Sequence, residues 1–356
     1  MTVSDLIRYR LQSQQLTQTT LATPAGMVAW FGAVQAQEHA ASKWALGNRL
    51  PGSTDASVEQ AIADRTVIRT WPMRGTLHFV AATDIHWLLE LIHPRSQALY
   101  TNYLRKHELE ETVISTCYRV MTNALEGRKR LKRSELKQVL DQAGIPTHEN
   151  RLGILLGRAS YDRLICHGPR CDNEFTFALL DEWVPRTKTL TRDEALAELT
   201  RRYFSSHGPA TLADFSWWSS LTLAEVKTGI ELVKSDFTAK MVDGQTYWMP
   251  SALPDRVNQT QSTAFLLPVY DEYLVAYKDR SAPLGGLTAE QVAKTGNGIF
   301  SPVVVIDGRV VGTWGRKIRK NDLQLDINLF ITLTKAQQWA LDEATERYQQ
   351  FLGINE

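Results

Sequence analysis

Residues 191 to 250 hold the order that most restricts the fold: three helix starts in quick succession, then one sharp turn between two alternating strands. "TRDE" (191 to 194), "TLAD" (211 to 214) and "TLAE" (222 to 225) each place a Thr hydroxyl to cap a free backbone N–H, while the carboxylate three residues on caps in reverse. In "TRDEALAELTRRYFSSHG" the apolar Leu196, Leu199, Tyr203 and Phe204 keep helical spacing as far as Gly208-Pro209, where proline cannot continue it. "FTAKMVDGQTYWM" then alternates apolar and polar residues about Asp243-Gly244, a dipeptide suited to the positive φ angles of a two-residue hairpin. Three short helices closed by a hairpin are the winged-helix pattern.

The same order can be read twice more. Residues 3 to 64 hold helical segments in "DLIRYRLQSQQL", "PAGMVAWFGAV" and "ASVEQAIAD", and "VIRTWPMRGTLHFV" (67 to 80) follows as two strands around Pro72 to Gly75. Residues 84 to 160 hold helices ending with "RSELKQVLDQAG" and "RLGILLGRAS", and "RLICHGPRCDNEFTFAL" supplies a second wing around Gly168-Pro169. Units of this kind bury their apolar faces against one another. The tail differs: "AFLLPVYDEYLVAY", "SPVVVIDGRVVGTW" and "DLQLDINLFITL" are rich in β-branched and aromatic residues, with Asp307-Gly308 as another hairpin turn. "TAEQ" (288 to 291) and "TKAQ" (334 to 337) start further helices, the last amphipathic over 335 to 351, and Pro254 with "DRVNQTQSTA" marks the boundary before the tail. The expected class is α+β, with winged-helix modules at 1–83, 84–188 and 189–253 and a small β-rich domain with a C-terminal helix at 260–356.

A length of 356 residues exceeds one ordinary hydrophobic core, which agrees with several modules. The net charge of +1 and pI near 7.7 do not announce a nucleic-acid binder. Local basic runs, "GRKRLKR" (127 to 133) and "GRKIRK" (315 to 320), leave that role open, although each alone reads as a solvated face. Three cysteines make no disulfide framework, the N-terminus lacks the apolar stretch of a secretory signal, and no run reaches the roughly 20 apolar residues of a membrane span. A reducing cytoplasm is the expected location. Cys166 and Cys171, with His167 between them, lack the complementary pair of a zinc site, and "GNG" at 296 to 298 reads as a turn without a phosphate-loop context. No metal or cofactor is expected.

"VQAQEHAASKWALGNRL", "WPMRGTLHFV", "YFSSHGPATLADFSWWSSL", "LLPVYDEYLVAYKDR" and "GNGIFSPVVVIDGRVVGTW", taken together and in this order, resemble the winged-helix DNA glycosylases of the AlkZ and YcaQ group. The resemblance runs over nearly the whole chain. It implies three tandem winged helices plus a small β-barrel-like domain, and excision of alkylated purines, including interstrand-crosslinked ones, from duplex DNA. That family's catalytic motif is Gln, an apolar residue, then Gln or Asp. It falls here on Gln35-Ala36-Gln37, which makes Gln35 and Gln37 the implied catalytic pair and places the chain with the Gln-x-Gln branch.

Chemistry supports an amide pair. Cutting an N-glycosidic bond passes through an oxocarbenium-like sugar, with water held on the face opposite the leaving base. A glutamine is no strong base, yet its carbonyl can accept from that water while its NH₂ holds another acceptor. Such help suffices when the leaving group is already good, and an N7- or N3-alkylated purine carries a formal charge and departs neutral. Geometry sets a condition: residues i and i+2 share a face on an extended segment but lie about 200° apart on a helix. The helix containing "MVAWFGAV" must therefore end or distort near Gln35.

Arg74 and His78 fall at and just after the first wing, where a cation and an imidazole could approach phosphate or lesion. Lys43, Lys278, Arg280, Arg316, Lys317 and Arg319 are the other candidate DNA contacts, the last five forming a backbone-contacting rim. Asp271 and Glu272 in "YDEY" could orient water or offset a lysine, against a surface or structural role; Trp217-Trp218 reads as core. The expected partner is double-stranded DNA carrying alkylated purines, bound by a monomer with no membrane or protein partner. The competing reading is a non-catalytic winged-helix DNA-binding protein or transcriptional regulator.

Overall fold

The computed structural model describes residues 1–252, 261–293, 301–319 and 322–354, the side chains of 96–100, 102, 289, 319 and 322 excepted. The expected boundary at Pro254 and the turn at 296 to 298 lie outside the described residues, as does the side chain of Arg319.

The first stretch contains α1 (Val3–Ser13), α2 (Pro24–Phe31), β1 (Val34–Gln35), α3 (His39–Gly47), α4 (Asp55–Ala63), β2 (Val67–Met73) and β3 (Thr76–Ala81). The second contains α5 (Ile85–Lys106), α6 (Glu111–Leu125), β4 (Leu131–Lys132), α7 (Arg133–Gln142), α8 (Arg151–Tyr161), β5 (Ile165–Cys171), β6 (Glu174–Leu179) and α9 (Leu180–Trp183). The third contains α10 (Arg192–His207), α11 (Leu212–Ser219), α12 (Leu223–Val233), β7 (Phe237–Val242) and β8 (Gln245–Pro250). The last contains β9 (Ala264–Leu267), α13 (Glu272–Val275), α14 (Ser281–Leu284), α15 (Ala289–Val292), β10 (Val303–Ile306), β11 (Arg309–Arg319), β12 (Asp322–Leu329) and α16 (Lys335–Leu352).

One arrangement recurs. A short strand between two helices pairs with the returning strand of the hairpin that follows, giving orders β1-β3-β2 and β4-β6-β5. In the third stretch the short strand shrinks to a bridge between Ala210 and Trp248, beside the β7–β8 pair. All five Thr-led sequences form the reciprocal caps they spell, on α10, α11, α12, α15 and α16. Turns form at Arg74-Gly75, Asp243-Gly244 and Asp307-Gly308, each with both φ angles positive. The second hairpin corrects the expectation of a turn at Gly168-Pro169: the strands pass that dipeptide, bulge between Gly168 and Cys171, and reverse at Asp172-Asn173. Proline can sit at such a bulge because a bulged position need not donate to the ladder.

The tail is α+β rather than barrel-like: β12-β11-β10-β9 is an open four-stranded sheet, and no closed barrel occurs among the described residues. The sheet shares a core with the first stretch. Tyr348 and Phe351 of α16 lie 4.7 and 5.1 Å from the Trp44 ring, and Leu266, Val304 and Trp314 join them around Val34, Phe79 and Val67. Burying each such ring contributes roughly 2–3 kcal/mol. Gly47 permits the approach, since a Cβ there would stand 2.6 Å from the Phe351 ring. A second core joins α5 to α10, α11 and α12 through Trp87, Tyr203, Phe204, Phe215 and Trp218. These shared cores fix the first stretch between the third and the last, where the candidate site lies.

Candidate active site

The helix holding "MVAWF" stops at Phe31, because Gly32 turns to φ 81 and donates its N–H back to Ala29. The chain leaves extended. Val34 and Gln35 pair with Phe79 and His78, the Ala36 N–H donates to the Leu77 carbonyl at 2.6 Å, and the Leu77 N–H donates to Gln37 Oε1 at 3.1 Å. The helix ends before Gln35, as the motif requires: Gln35 closes β1 and Gln37 lies in the bend that follows it. Below it, Arg69 donates to the carbonyls of Ala36 (2.9 Å) and Gln37 (3.4 Å). Gln35 is 7% exposed at the inner end of the segment, and Gln37 is exposed at its outer end.

The carboxylate of Glu272, first residue of α13, accepts from the Gln35 N–H at 2.7 Å and from the Trp218 indole at 2.9 Å. His207 Nε2 stands 3.5 Å from its carboxylate. Burial alone would raise the Glu272 carboxyl; contact with His207 and the Arg74 charge outweigh it and hold the group down to about 2, so it is ionised. Arg74 grips the other end of Gln35. Its Nη2 donates to Gln35 Oε1 at 3.1 Å and to His78 Nε2 at 3.0 Å, and its Nη1 donates to the Val275 carbonyl at 3.1 Å. His78 Nδ1 faces the Thr76 carbonyl at 3.0 Å, so Nδ1 carries the proton and Nε2 accepts from Arg74. Burial, reinforced by the Arg74 charge, pushes His78 down to about 3 and keeps it neutral.

These partners fix which way both carboxamides point. Arg74 and the Leu77 N–H can only donate, so each Oε1 is turned toward the protein and each NH₂ away from that partner. Each Oε1 retains a second lone pair. The β5–β6 hairpin brings the Phe175 ring under Arg69, whose guanidinium lies 4.1 Å from its centre, with Arg170 5.3 Å from the same ring. On the other side a small cleft of about 90 Å³ is lined by Glu38, Trp44, Val269, Trp314 and Arg316 among others.

The sequence candidates separate on inspection. Gln35, Gln37, Arg74 and His78 come together. Lys43 does not join them: it is 5% exposed and held by Asp55 (2.6 Å) and Glu59 (2.8 Å), so its charge is spent inside the fold. Lys278 and Lys317 are exposed, Arg316 contacts the Tyr348 hydroxyl, and Arg280 donates to the Leu274 carbonyl at 2.8 Å while lying 5.7 Å from the Trp217 ring. Trp218 is core, whereas Trp217 is 46% exposed. Neither Asp271 nor Glu272 is a surface group. Asp271, 2% exposed, takes a bidentate pair from Arg49 at 2.8 Å on both nitrogens. Sequence reasoning undervalued Glu272 and overlooked Arg69; the available signal was a carboxylate pair set between the apolar runs "LLPV" and "LVAY", a context that predicts burial with partners. Among the described residues no three His, Cys, Asp or Glu side chains gather as metal ligands, and no helix is long and apolar enough to cross a membrane.

A curated relative, an "Interstrand DNA cross-link repair glycosylase" of Streptomyces sahachiroi, is 26% identical over 325 residues, covering 86% of this chain and 85% of the relative. The solved structure of the Streptomyces sahachiroi DNA glycosylase AlkZ superposes with a TM-score of 0.82 at 23% identity, covering 99% of this chain and 97% of that one, a likeness of fold. A family model described as "DNA glycosylase AlkZ-like" matches residues 28–351, which include the Gln35-x-Gln37 segment, Arg74, His78 and Glu272. The chain therefore belongs to the AlkZ-like DNA glycosylase family, enzymes that hydrolyse N-glycosyl bonds in DNA.

Proposed function

We propose that this glycosylase removes N7- and N3-alkylated purines, interstrand crosslinks among them, from duplex DNA, with Gln35 and Gln37 positioning the water that attacks deoxyribose C1′. In this reading winged-helix modules at 1–83, 84–188 and 189–253 hold the duplex as a monomer, and no cofactor takes part. The relative's description as a crosslink repair enzyme supports the substrate class.

The observation that supports the mechanism is the end of α2 at Gly32, after which Gln35 lies in a strand paired with His78 and Gln37 follows two residues on, open to solvent. No carboxylate base or nucleophile is needed at the sugar, because an alkylated purine leaves as a neutral base and the barrier falls mainly by placement and charge stabilisation. Water accepts from an NH₂ and donates to the free lone pair of an Oε1, which orients its oxygen toward the sugar. Glycosylases often rotate the target nucleotide out of the stack, and a crosslinked base cannot swing freely. A crosslink substrate therefore requires a shallow site, and Gln37 lies at the surface rather than at the bottom of a deep cavity.

The test is base release from duplexes carrying N7-methylguanine, with abasic sites revealed by alkali, and unhooking of an N7-linked crosslink. Wild type is expected to release the base, and Gln35→Ala and Gln37→Ala to bind the duplex without releasing it. Equal release by wild type and both variants would remove the glutamines from the mechanism.

A further inference from the structure

Arg74 poses an electrostatic problem for the proposed chemistry. Its guanidinium donates to Gln35 Oε1 at 3.1 Å, so a full positive charge lies one hydrogen bond from the group meant to assist a developing sugar cation. Unbalanced, that charge would repel the transition state in a poorly solvated site. Arg280 adds a second positive charge acting on the same region. Glu272 is the carboxylate that faces this cluster: it is 1% exposed, it accepts from the Gln35 N–H at 2.7 Å, and its charge acts on Arg74.

We propose that Glu272 is a positioning residue that holds Gln35 by its backbone and supplies the counter-charge allowing Arg74 to orient the Gln35 carboxamide without opposing the sugar cation. The inference rests on Gln35 acting in catalysis. Trp218, His207 and the Gln35 N–H surround the carboxylate, so it is kept from substrate and acts through its field and through Gln35. Burial pulls the Arg74 guanidinium below its ordinary value, and Glu272 is first among the groups opposing that pull.

Duplexes with abasic analogues at one position read the charge directly: a pyrrolidine carries the transition-state charge, and a tetrahydrofuran of the same shape carries none. Transition-state mimics gain most where the enzyme stabilises developing charge. Glu272→Gln is expected to weaken binding of the pyrrolidine duplex by roughly 10- to 100-fold and slow single-turnover base release comparably, with tetrahydrofuran binding held within about twofold. Arg74→Met leaves the carboxylate unbalanced and is expected to increase the preference for pyrrolidine over tetrahydrofuran. Combined with Glu272→Gln, it restores part of the lost preference. Glu272→Asp keeps the charge and keeps the preference even where its rate falls. Should Glu272→Gln fail to fold, Arg74→Met and Glu272→Asp decide the matter alone. Equal weakening of both duplexes by Glu272→Gln, or an unchanged or lowered preference in Arg74→Met, would overturn the proposal. Undiminished base release by Gln35→Ala overturns instead the role of Gln35, whatever the Glu272 variants do.

Discussion

The two glutamines differ in burial, so one truncation applied to each separates catalysis from stability. Gln35→Ala removes a buried acceptor from Arg74, a loss of about 1.5–3 kcal/mol for a hydrogen bond to a charged group, and one methylene worth about 0.8 kcal/mol. Arg74 keeps the Val275 carbonyl and His78 Nε2, which limits the total to about 2–4 kcal/mol. Gln37→Ala frees only the Leu77 N–H, a part-buried donor whose acceptor sits on an exposed side chain that water replaces, and costs about 1 kcal/mol. If both position the same water, their single-turnover rates fall alike, by about 100-fold or more each. Denaturation midpoints followed by tryptophan fluorescence give the first comparison, and alkali-revealed base release gives the second. A stable Gln37→Ala protein that keeps its rate within about threefold of wild type would refute the paired role. A Gln35→Ala protein as stable as wild type would refute the account of the Arg74 clamp.

Other outcomes follow from the same contacts. Arg49→Met leaves Asp271 buried without its bidentate partner and should cost about 3–5 kcal/mol, seen as a fall in denaturation midpoint. Lys43→Ala should lower stability while leaving the salt dependence of DNA binding unchanged, whereas Arg316→Ala, if it loses one phosphate contact, should reduce the slope of log K against log salt by about 1. Burial raises the half-buried Glu59 carboxyl, but hydrogen bonds from His39 and Lys43 prevail and lower it from 4.5 to about 2. A depressed carboxyl stabilises the fold fully above its unfolded value and loses that contribution as pH falls through the folded one. Glu59→Gln should therefore flatten the acid limb of stability between pH 4.5 and about 2, which acid titration of the denaturation midpoint measures. Gly308→Ala places a Cβ 2.1 Å from Ile7 at φ 79, and its melting temperature should drop.

Much of this architecture was legible where one signal is local and strong. Thr-led caps and Asp-Gly turns depend on a few neighbouring atoms, and they form where the sequence spells them. The second hairpin misled because Gly168-Pro169 is a good turn dipeptide in isolation; pairing of Ile165 to Gly168 with Thr176 to Leu179 outweighs that preference and moves the reversal to Asp172-Asn173. The tail's β content was readable, but whether its sheet closes depends on what covers it, and α16 with the first stretch covers one face. Within the site, Gln35 and Gln37 stood out as amides in an apolar run. Their partners did not, because Glu272 lies 237 residues from Gln35 in the chain and Arg74 lies 39 away, and no local pattern reports such pairings. Lys43 illustrates the reverse error: a lysine six residues after Gln37 invites a phosphate, but two carboxylates of α4, 12 and 16 residues along the chain, claim it first.

The seating of the Arg74 turn has a temporal consequence. Its backbone N–H donates to the Ser220 hydroxyl and its guanidinium to the Val275 carbonyl, while Glu272 holds the strand it leans on. A ribosome that has released only the first hundred residues has made both glutamines and none of these three anchors. The newborn polypeptide therefore carries its two glutamines without their partners, and the Arg74 cluster is completed late in synthesis, as the last third of the molecule docks onto the first.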